Sequence, residues 1–416
     1  MSTSHFWHAF SDLATAGPEL VLERGEGAHL WDVDGRRYVD ATAGLWFCNV
    51  GYGRREIVEA ASRQLAELPA YSTFGDLSNR PASELAERVS AIAPVADSMV
   101  FFTSGGSDSV DTATKMARRY WQILGERDRT VLLRRDRAYH GMHAAGTSLS
   151  GIPANAAGYG ELLEDVVQVP WDDAAALRET IDRLGPERVA AFFCEPVIGA
   201  GGVFPPPPGY LDAARQVCTD TGVLFVADEV ITGFARCGDW FASTRFSLRP
   251  DLVTCAKGIT SGYLPLGAVL VAPQIAEPFR RPEAGMLRHG YTYGGHAAVA
   301  AAALANLAVM EREDLCARAR ELEKALPEAL ASLADHPSVQ EVRAGTGVLG
   351  GVQLASDRIA VDPAFAPKVA AAARAHGVLT RALASGALQV SPPLVIDEAG
   401  LGEIADGFAS ALRDVG

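Results

Sequence analysis

Residues 227–267 read ADEVITGFARCGDWFASTRFSLRPDLVTCAKGITSGYLPLG. An apolar run, Val223 to Ala227, stops in two carboxylates, Asp228 and Glu229. A second run, Leu252 to Ala256, stops in Lys257, and glycine follows at once. Each run is too short and too apolar for a solvated loop, as expected of a strand buried in an α/β sheet. Ligands of open α/β sheets sit outside the carboxyl ends of the strands, so an acid and an amine at two such ends point to one place.

That pair admits two readings. A lysine amine forms a Schiff base with an aldehyde cofactor, and a buried aspartate holds a pyridine nitrogen protonated; these are the two protein groups that pyridoxal phosphate needs. The alternative is a buried Asp–Lys ion pair with no cofactor, since ion-pair networks also fill such clefts. The flanking Gly258, Gly262 and Gly267 favour the first reading, as they leave room beside the lysine where a plain ion pair calls for packing.

DEVITGFARCG followed by AKGITSGYLPLGAV resembles the signature of the class III, fold-type I, pyridoxal-phosphate-dependent aminotransferases. The resemblance runs from about Glu23 to about Val395, nearly the whole chain. It implies an α/β fold: a large domain around a mostly parallel sheet, and a smaller α+β domain built from the two terminal segments. The expected division is 1–50 and 306–416 for the small domain and 51–305 for the large one. It also implies that Lys257 is the Schiff-base lysine, that Asp228 pairs with the pyridinium, and that Val230 lies against one face of the cofactor ring. Ala235-Arg236-Cys237 departs from the family's more usual Gly-Arg-Thr or Gly-Arg-Leu.

Further candidates come from other strand ends. Met99 to Thr103 reads as a strand, followed by a glycine turn and a helix to about Ile123. Free N–H groups and the helix dipole make such a turn an anion site, while Ser107 or Asp108 acting as a plain cap is the alternative. The resemblance makes the turn a phosphate cup in which backbone contacts from Gly106 and Ser107 serve. After a strand at Thr130 to Arg134, Tyr139 resembles the family aromatic that stacks on the pyridine, and a flat π-face suits a flat cofactor. His140 then supports the cofactor shell. A metal site at His140 and His143 is rejected, because no third ligand stands at helical spacing. Glu195 closes the strand from Val189, and the resemblance gives it a supporting role toward the aspartate and tyrosine. Ile198 stands where the family more often has glutamine.

Trp46 reads as core from its residue type; by resemblance it lines the substrate pocket. Tyr71 and Phe74 read equally as pocket walls or loop anchors. Gly267 to Ala272 is expected to be an antiparallel edge strand, and Ala298 to Ala319 one long helix leading into the C-terminal domain. The segment from Arg288 to His296 matches the family's HGxTYxGH, with Ala297 in place of the usual proline. By that match Thr292 reaches across a homodimer interface to the partner's cofactor phosphate. Arg381 sits in TRALASGALQVSPPLV, where the family keeps a mobile arginine for a substrate carboxylate.

Composition sets outer bounds. The 416 residues allow a large α/β core plus a smaller domain, and 48% hydrophobic with 21% charged residues is ordinary for a globular protein. A net charge of −14 argues against nucleic-acid or anionic-membrane surfaces. The six cysteines are scattered without a CxxC pair, which suggests reduced thiols in a cytoplasmic protein. MSTSHFWHAFSD has no basic start followed by an apolar core, so no leader peptide is expected. The apolar stretch from Ala297 to Met310 is too short to span a bilayer.

The function expected from all this is transfer of an amino group from an amine or ω-amino acid to a 2-oxo acid such as pyruvate, in two alternating half-reactions on pyridoxal phosphate. An aminomutase or racemase of the same fold would show the same cofactor residues. A cofactor-binding protein without turnover is disfavoured by the intact set of Lys257, Asp228, Tyr139 and Arg381. A dinucleotide-dependent dehydrogenase is disfavoured because no strand is followed by GxGxxG.

Overall fold

A computed structural model describes residues 5–14, 17 and 19–415. Residues 1–4, the start of the stretch read above for a leader, lie outside the described residues. The strands in chain order are β1 (Leu22–Glu26), β2 (His29–Asp32), β3 (Arg37–Asp40), β4 (Met99–Thr103), β5 (Val131–Arg135), β6 (Val166–Val169) and β7 (Val189–Cys194). They continue with β8 (Leu224–Asp228), β9 (Leu252–Cys255), β10 (Gly267–Val271), β11 (Val339–Arg343), β12 (Gly350–Leu354), β13 (Val378–Leu379) and β14 (Ala387–Val390). Helices that matter below are α1 (Arg55–Glu67), α2 (Arg80–Ala91), α3 (Gly106–Ile123), α4 (Ala297–Arg312) and α5 (Leu315–Leu330).

The central sheet has seven strands in the order β4-β10-β9-β8-β7-β5-β6. Strands β5 to β9 are mutually parallel. Their runs are mostly apolar because both faces are covered, which is the pattern expected of parallel strands; the polar residues, Arg134, Arg135, Gln168, Asp228 and Thr254, fall in the carboxyl-terminal halves. Phe192 and Phe225 enter one apolar cluster, while Phe193 and Val226 enter the other with Val110, Ala113 and Trp121 of α3. Each such fully buried side chain contributes roughly 1.5–3 kcal/mol of transfer free energy.

Strand β10 is antiparallel, as expected, but it is not an edge. It pairs with β9 on one side and β4 on the other. All five of its residues are buried, so a one-sided strand was the wrong inference from a run as apolar as its neighbours. The reversal has a consequence: β4 points the same way as β5 to β9, and its carboxyl end joins theirs.

A four-stranded sheet, β1-β2-β3-β13, joins the N-terminal strands to the C-terminal segment, and β11-β12-β14 form a third sheet. The first of these strands lies at Leu22–Glu26. Strand β13 is only two residues long. Beyond Leu379 the chain leaves β3, and Ala382 bridges Leu388 next to β14. Arg381 therefore sits where the chain crosses from one sheet to another.

The single helix expected from Ala298 to Ala319 is two. α4 ends at Arg312, and Asp314 takes a left-handed conformation (φ 44°) while its carboxylate accepts from the Ala317 amide at 3.1 Å to cap α5. Apolar spacing continues through the break, so only the capping aspartate signalled it. α4 packs on α1 and α2 and is buried nearly all round. Its one buried polar side chain, Asn306, donates from Nδ2 to the carbonyls of Gly258 (2.9 Å) and Ile259 (3.0 Å), just after Lys257.

Asn306→Leu keeps the volume but leaves those two carbonyls without a donor in a dry setting. It should lower unfolding free energy by about 1–3 kcal/mol, read as a lower urea midpoint at unchanged slope. An unaltered midpoint would show that the carbonyls do not depend on Asn306.

Candidate active site

The carboxyl ends of β4, β5, β7, β8 and β9 converge on one cavity of about 140 Å³. Its lining includes Gly106, Ser107, Tyr139, His140, Glu195, Asp228, Val230 and Lys257. The structure thus brings together eight of the eleven site residues expected from sequence. Trp46 and Arg381 stand beside Lys257. Thr292 is the one it does not bring in: it is exposed in the turn before α4 and does not line this cavity.

Asp228 ends β8 with its side chain almost fully buried. Oδ2 lies 2.7 Å from His140 Nδ1, and Oδ1 accepts from Thr254 Oγ1 at 3.0 Å and from the Val230 amide at 3.1 Å. Thr254 stands opposite Asp228 across the parallel β8–β9 pair. The buried carboxylate is therefore held by three donors, as a buried charge requires. His140 serves Asp228 through Nδ1, and its buried Nε2 has no partner. Glu229 points elsewhere: its carboxylate accepts from Thr232 Oγ1 (2.8 Å) and the amides of Ala242 and Ser243 (2.7 Å each), holding the start of the short helix Ala242–Arg245. The two adjacent acids of the sequence have different environments.

Lys257 follows β9 with φ of 50°, a left-handed conformation unusual for a side-chain-bearing residue and characteristic of strained functional positions. No ion pair between Lys257 and Asp228 occurs among the described residues; Asp228 pairs with His140 instead. The plain Asp–Lys bridge considered above is thereby set aside. Burial lowers the Lys257 amine to about 8; the Asp228 charge opposes that shift and Arg381 adds to it. The glycines around the lysine do not leave empty space. A Cβ on Gly258 would meet Asn49 Nδ2 at 2.6 Å, one on Gly262 would meet Phe47 at 2.2 Å, and one on Gly267 the Gly105 carbonyl at 2.5 Å. They allow close packing of neighbouring chain, contrary to the sequence reading.

Glu195 is fully buried, and its carboxylate accepts from the Tyr139 amide (2.9 Å) and the Gly199 amide (3.0 Å). Burial raises its acid above the usual carboxylate range, and the His140 charge partly counters this. It fixes the backbone of Tyr139 and has no hydrogen bond to Asp228, so its support of the aspartate is indirect. At the other end of the cavity α3 starts at Gly106 with Gly105 as N-cap and no capping side chain. Ser107 and Asp108 do not cap it: Ser107 Oγ accepts from the Met142 amide at 3.1 Å, and Asp108 accepts from the Ser104 amide at 3.0 Å. The first-turn N–H groups are left free for an anion.

Trp46 is buried and lies beneath two cations, with Arg381 Cζ 4.6 Å and Lys257 Nζ 5.8 Å from its ring centroid. Its indole N–H donates to Ser391 Oγ at 3.0 Å. Arg381 Nε donates to Gln389 Oε1 at 2.8 Å. Sequence reasoning missed Thr254, Ile231 and Gln389. Thr254 was accessible as the one polar residue in LVTCA, on the strand that ends just before Lys257; Ile231 and Gln389 gave no local signal.

These residues fit pyridoxal phosphate. An amine, a fully hydrogen-bonded carboxylate, an aromatic face at Tyr139 and an uncapped helix start surround one narrow cavity. A Cβ at Gly106 would press on Val230 Cγ1 at 2.8 Å, so the cradle between helix start and Val230 accepts glycine alone.

Comparisons with known proteins agree. Residues 13–412 match the family model described as aminotransferase class-III. A putrescine–pyruvate aminotransferase of Pseudomonas aeruginosa is 37% identical, the match covering 97% of this chain and 93% of that protein. A diaminobutyrate–2-oxoglutarate transaminase of Halomonas elongata is 38% identical over 96% of this chain and 91% of its own. The solved structure of an amine transaminase from an uncultivated Pseudomonas species, in a pyridoxal-phosphate-bound form, superposes with a TM-score of 0.94 at 36% identity over 100% of both chains.

The lowered Lys257 amine is directly measurable. In cofactor-free protein, labelling of Lys257 by an amine-reactive reagent, followed by peptide mapping, should be half-maximal near pH 8, where an ordinary lysine needs pH above 10. Asp228→Asn removes the charge that favours the ammonium, and should move the midpoint lower. A midpoint above 10, or a rise in Asp228→Asn, would contradict this account of the site.

Proposed function

The chain belongs to the class III aminotransferases, and from that premise we propose how its residues carry out amino transfer. The enzyme uses pyridoxal phosphate and moves an amino group from an amine or ω-amino acid to a 2-oxo acid such as pyruvate. The observation that carries this reading is the pair of neighbouring strand ends, where the buried, fully hydrogen-bonded Asp228 and the lowered amine of Lys257 face one cavity.

Bound pyridoxal phosphate supplies an aldehyde that takes up the amino group and a ring that accepts electrons. Asp228, its carboxylate held in place by three donors, would keep a proton at the pyridine nitrogen. Lys257 would hold the aldehyde and serve as the proton carrier at the substrate Cα; an amine near 8 is suited to giving and taking a proton at neutral pH. Tyr139 and Val230 flank the ring, and Glu195 fixes the Tyr139 backbone. His140 orients the Asp228 carboxylate. The amides of Gly106 and Ser107 receive the phosphate.

Donor and acceptor take turns in the same site, and only one of them need carry a carboxylate. Trp46 forms the floor, and Arg381 offers the guanidinium for the acid. The test is a panel of putrescine, 4-aminobutyrate, 2,4-diaminobutyrate and benzylamine against pyruvate and 2-oxoglutarate. Aldehyde or ketone should form only when a keto acid is present; turnover without one would point to internal rearrangement instead. In Arg381→Ala the pyruvate half-reaction should slow by roughly one to two decades, and the benzylamine half-reaction should change much less. Equal losses in single-turnover absorbance traces would remove Arg381 from the carboxylate role.

We further propose a homodimer in which Thr292 reaches the partner's phosphate. Thr292 is exposed and does not line its own cavity, and the same region carries the exposed apolar side chains of Phe74, Met286 and Tyr293 beside a cleft of about 860 Å³. Thr292→Ala should release cofactor on dilution several-fold more readily than the parent while light scattering still reports a dimer. A fully active, cofactor-saturated monomer would overturn the proposal. A division at 1–50, 51–305 and 306–416 and a cytoplasmic setting belong to the same reading; the unpaired thiols support the latter. No described helix is long and apolar enough to cross a membrane.

A further inference from the structure

We propose that Gln389 is a specificity-determining positioning residue: a neutral dock that holds Arg381 by Nε and leaves its terminal amines open to a substrate carboxylate. The inference rests on the reading of Arg381 given above and assigns the control of that residue.

Gln389 lies on β14, fully buried, directly across from Arg381. Its amide donates to the Arg381 carbonyl at 3.0 Å, and its own carbonyl accepts from Thr380 Oγ1 at 2.8 Å. The two residues are thus locked in register where the chain crosses between sheets. The side-chain amide is oriented by what flanks it. Nε2 donates to the Thr42 carbonyl at 3.3 Å, so Oε1 is turned to Arg381 Nε, 2.8 Å away. A flipped amide would set donor against donor at Arg381 and acceptor against acceptor at Thr42. Thr42 is itself pinned, its amide and hydroxyl both donating to Asp40 Oδ1 at 2.8 Å. The dock is therefore rigid.

What the dock leaves undone is as informative. Arg381 has no carboxylate partner among the described residues, and only Nε is used. Its guanidinium lies over Trp46. The charged and titratable groups that sense it are Lys257 and Tyr139, both lining the cavity. An acid at position 389 would form a bidentate pair and neutralise the guanidinium. A glutamine of nearly the same shape gives orientation without neutralisation, so the positive charge remains available to the substrate.

Two variants test this in the holoenzyme, with cofactor absorbance confirming loading. Gln389→Glu should raise KM for pyruvate about tenfold or more, with kcat within about threefold and the benzylamine half-reaction unchanged. Gln389→Met, neutral and without an acceptor, should raise pyruvate KM by a smaller factor, about threefold, and provides the test if the glutamate variant does not fold. In an Arg381→Ala background neither substitution should alter pyruvate KM further. Losses shared equally by acid and amine half-reactions, an unchanged pyruvate KM in both variants, or full additivity with Arg381→Ala would each overturn the dock. If Arg381→Ala alone leaves pyruvate KM unchanged, the underlying role of Arg381 fails instead.

Discussion

The buried carboxylate of Asp228 is the point on which the site depends. A charge removed from water must be met by donors or it does not stay charged. Three are supplied, by His140 from the loop after β5, Thr254 from β9 and the Val230 amide after β8. Meeting that need fixes the spacing of β8 against β9 and brings the β5 loop over both. Tyr139 and the helix start at Gly106 then take their places around the same cavity. The reversed strand β10 serves the same end, since it lets β4 deliver Gly106 from the same sheet edge.

Lys257 is governed by the same burial with opposite sign. Desolvation opposes the ammonium, so the folded site favours the free amine at lower pH than water does. The unfolded chain binds that proton up to the ordinary lysine range. Hence this residue makes the cofactor-free protein less stable below about pH 8, and the deficit diminishes as pH rises toward 10. A group that weakens the fold at neutral pH, on a strained backbone, is what a reactive amine requires.

Much of this was legible in the chain. The apolar runs ending in Asp228, Glu195 and Lys257 gave the strands and the edge on which the site stands, because burial on both faces writes itself into consecutive residues. Three kinds of feature were not legible. Strand order is non-local, so β10 read as an edge. A helix break that keeps its apolar spacing, as at Asp314, is marked by one residue only. The direction of a side chain depends on partners far away in sequence: Glu229 turned from the cavity to cap a helix, and Gln389 gave no local sign of touching Arg381.

Two guanidiniums, one buried and one half-buried, are held in different ways. Arg236 is fully buried, and its terminal amines donate to the carbonyls of Val348, Ser391 and Pro392 and to the Asn49 side chain. Burial lowers it to about 10, still charged at neutral pH. It ties the N-terminal, central and C-terminal segments together, and no open donor of those amines faces the cavity. Arg381 also lacks a carboxylate and also feels desolvation, yet only Nε is held. The charge of Arg236 is consumed by the fold, while the terminal amines of Arg381 make no hydrogen bond among the described residues. Under the proposed function, a half-buried cation with unspent donors, set on an aromatic floor beside the reactive amine, would let one cavity accept a keto acid and, in turn, an amine without a carboxylate.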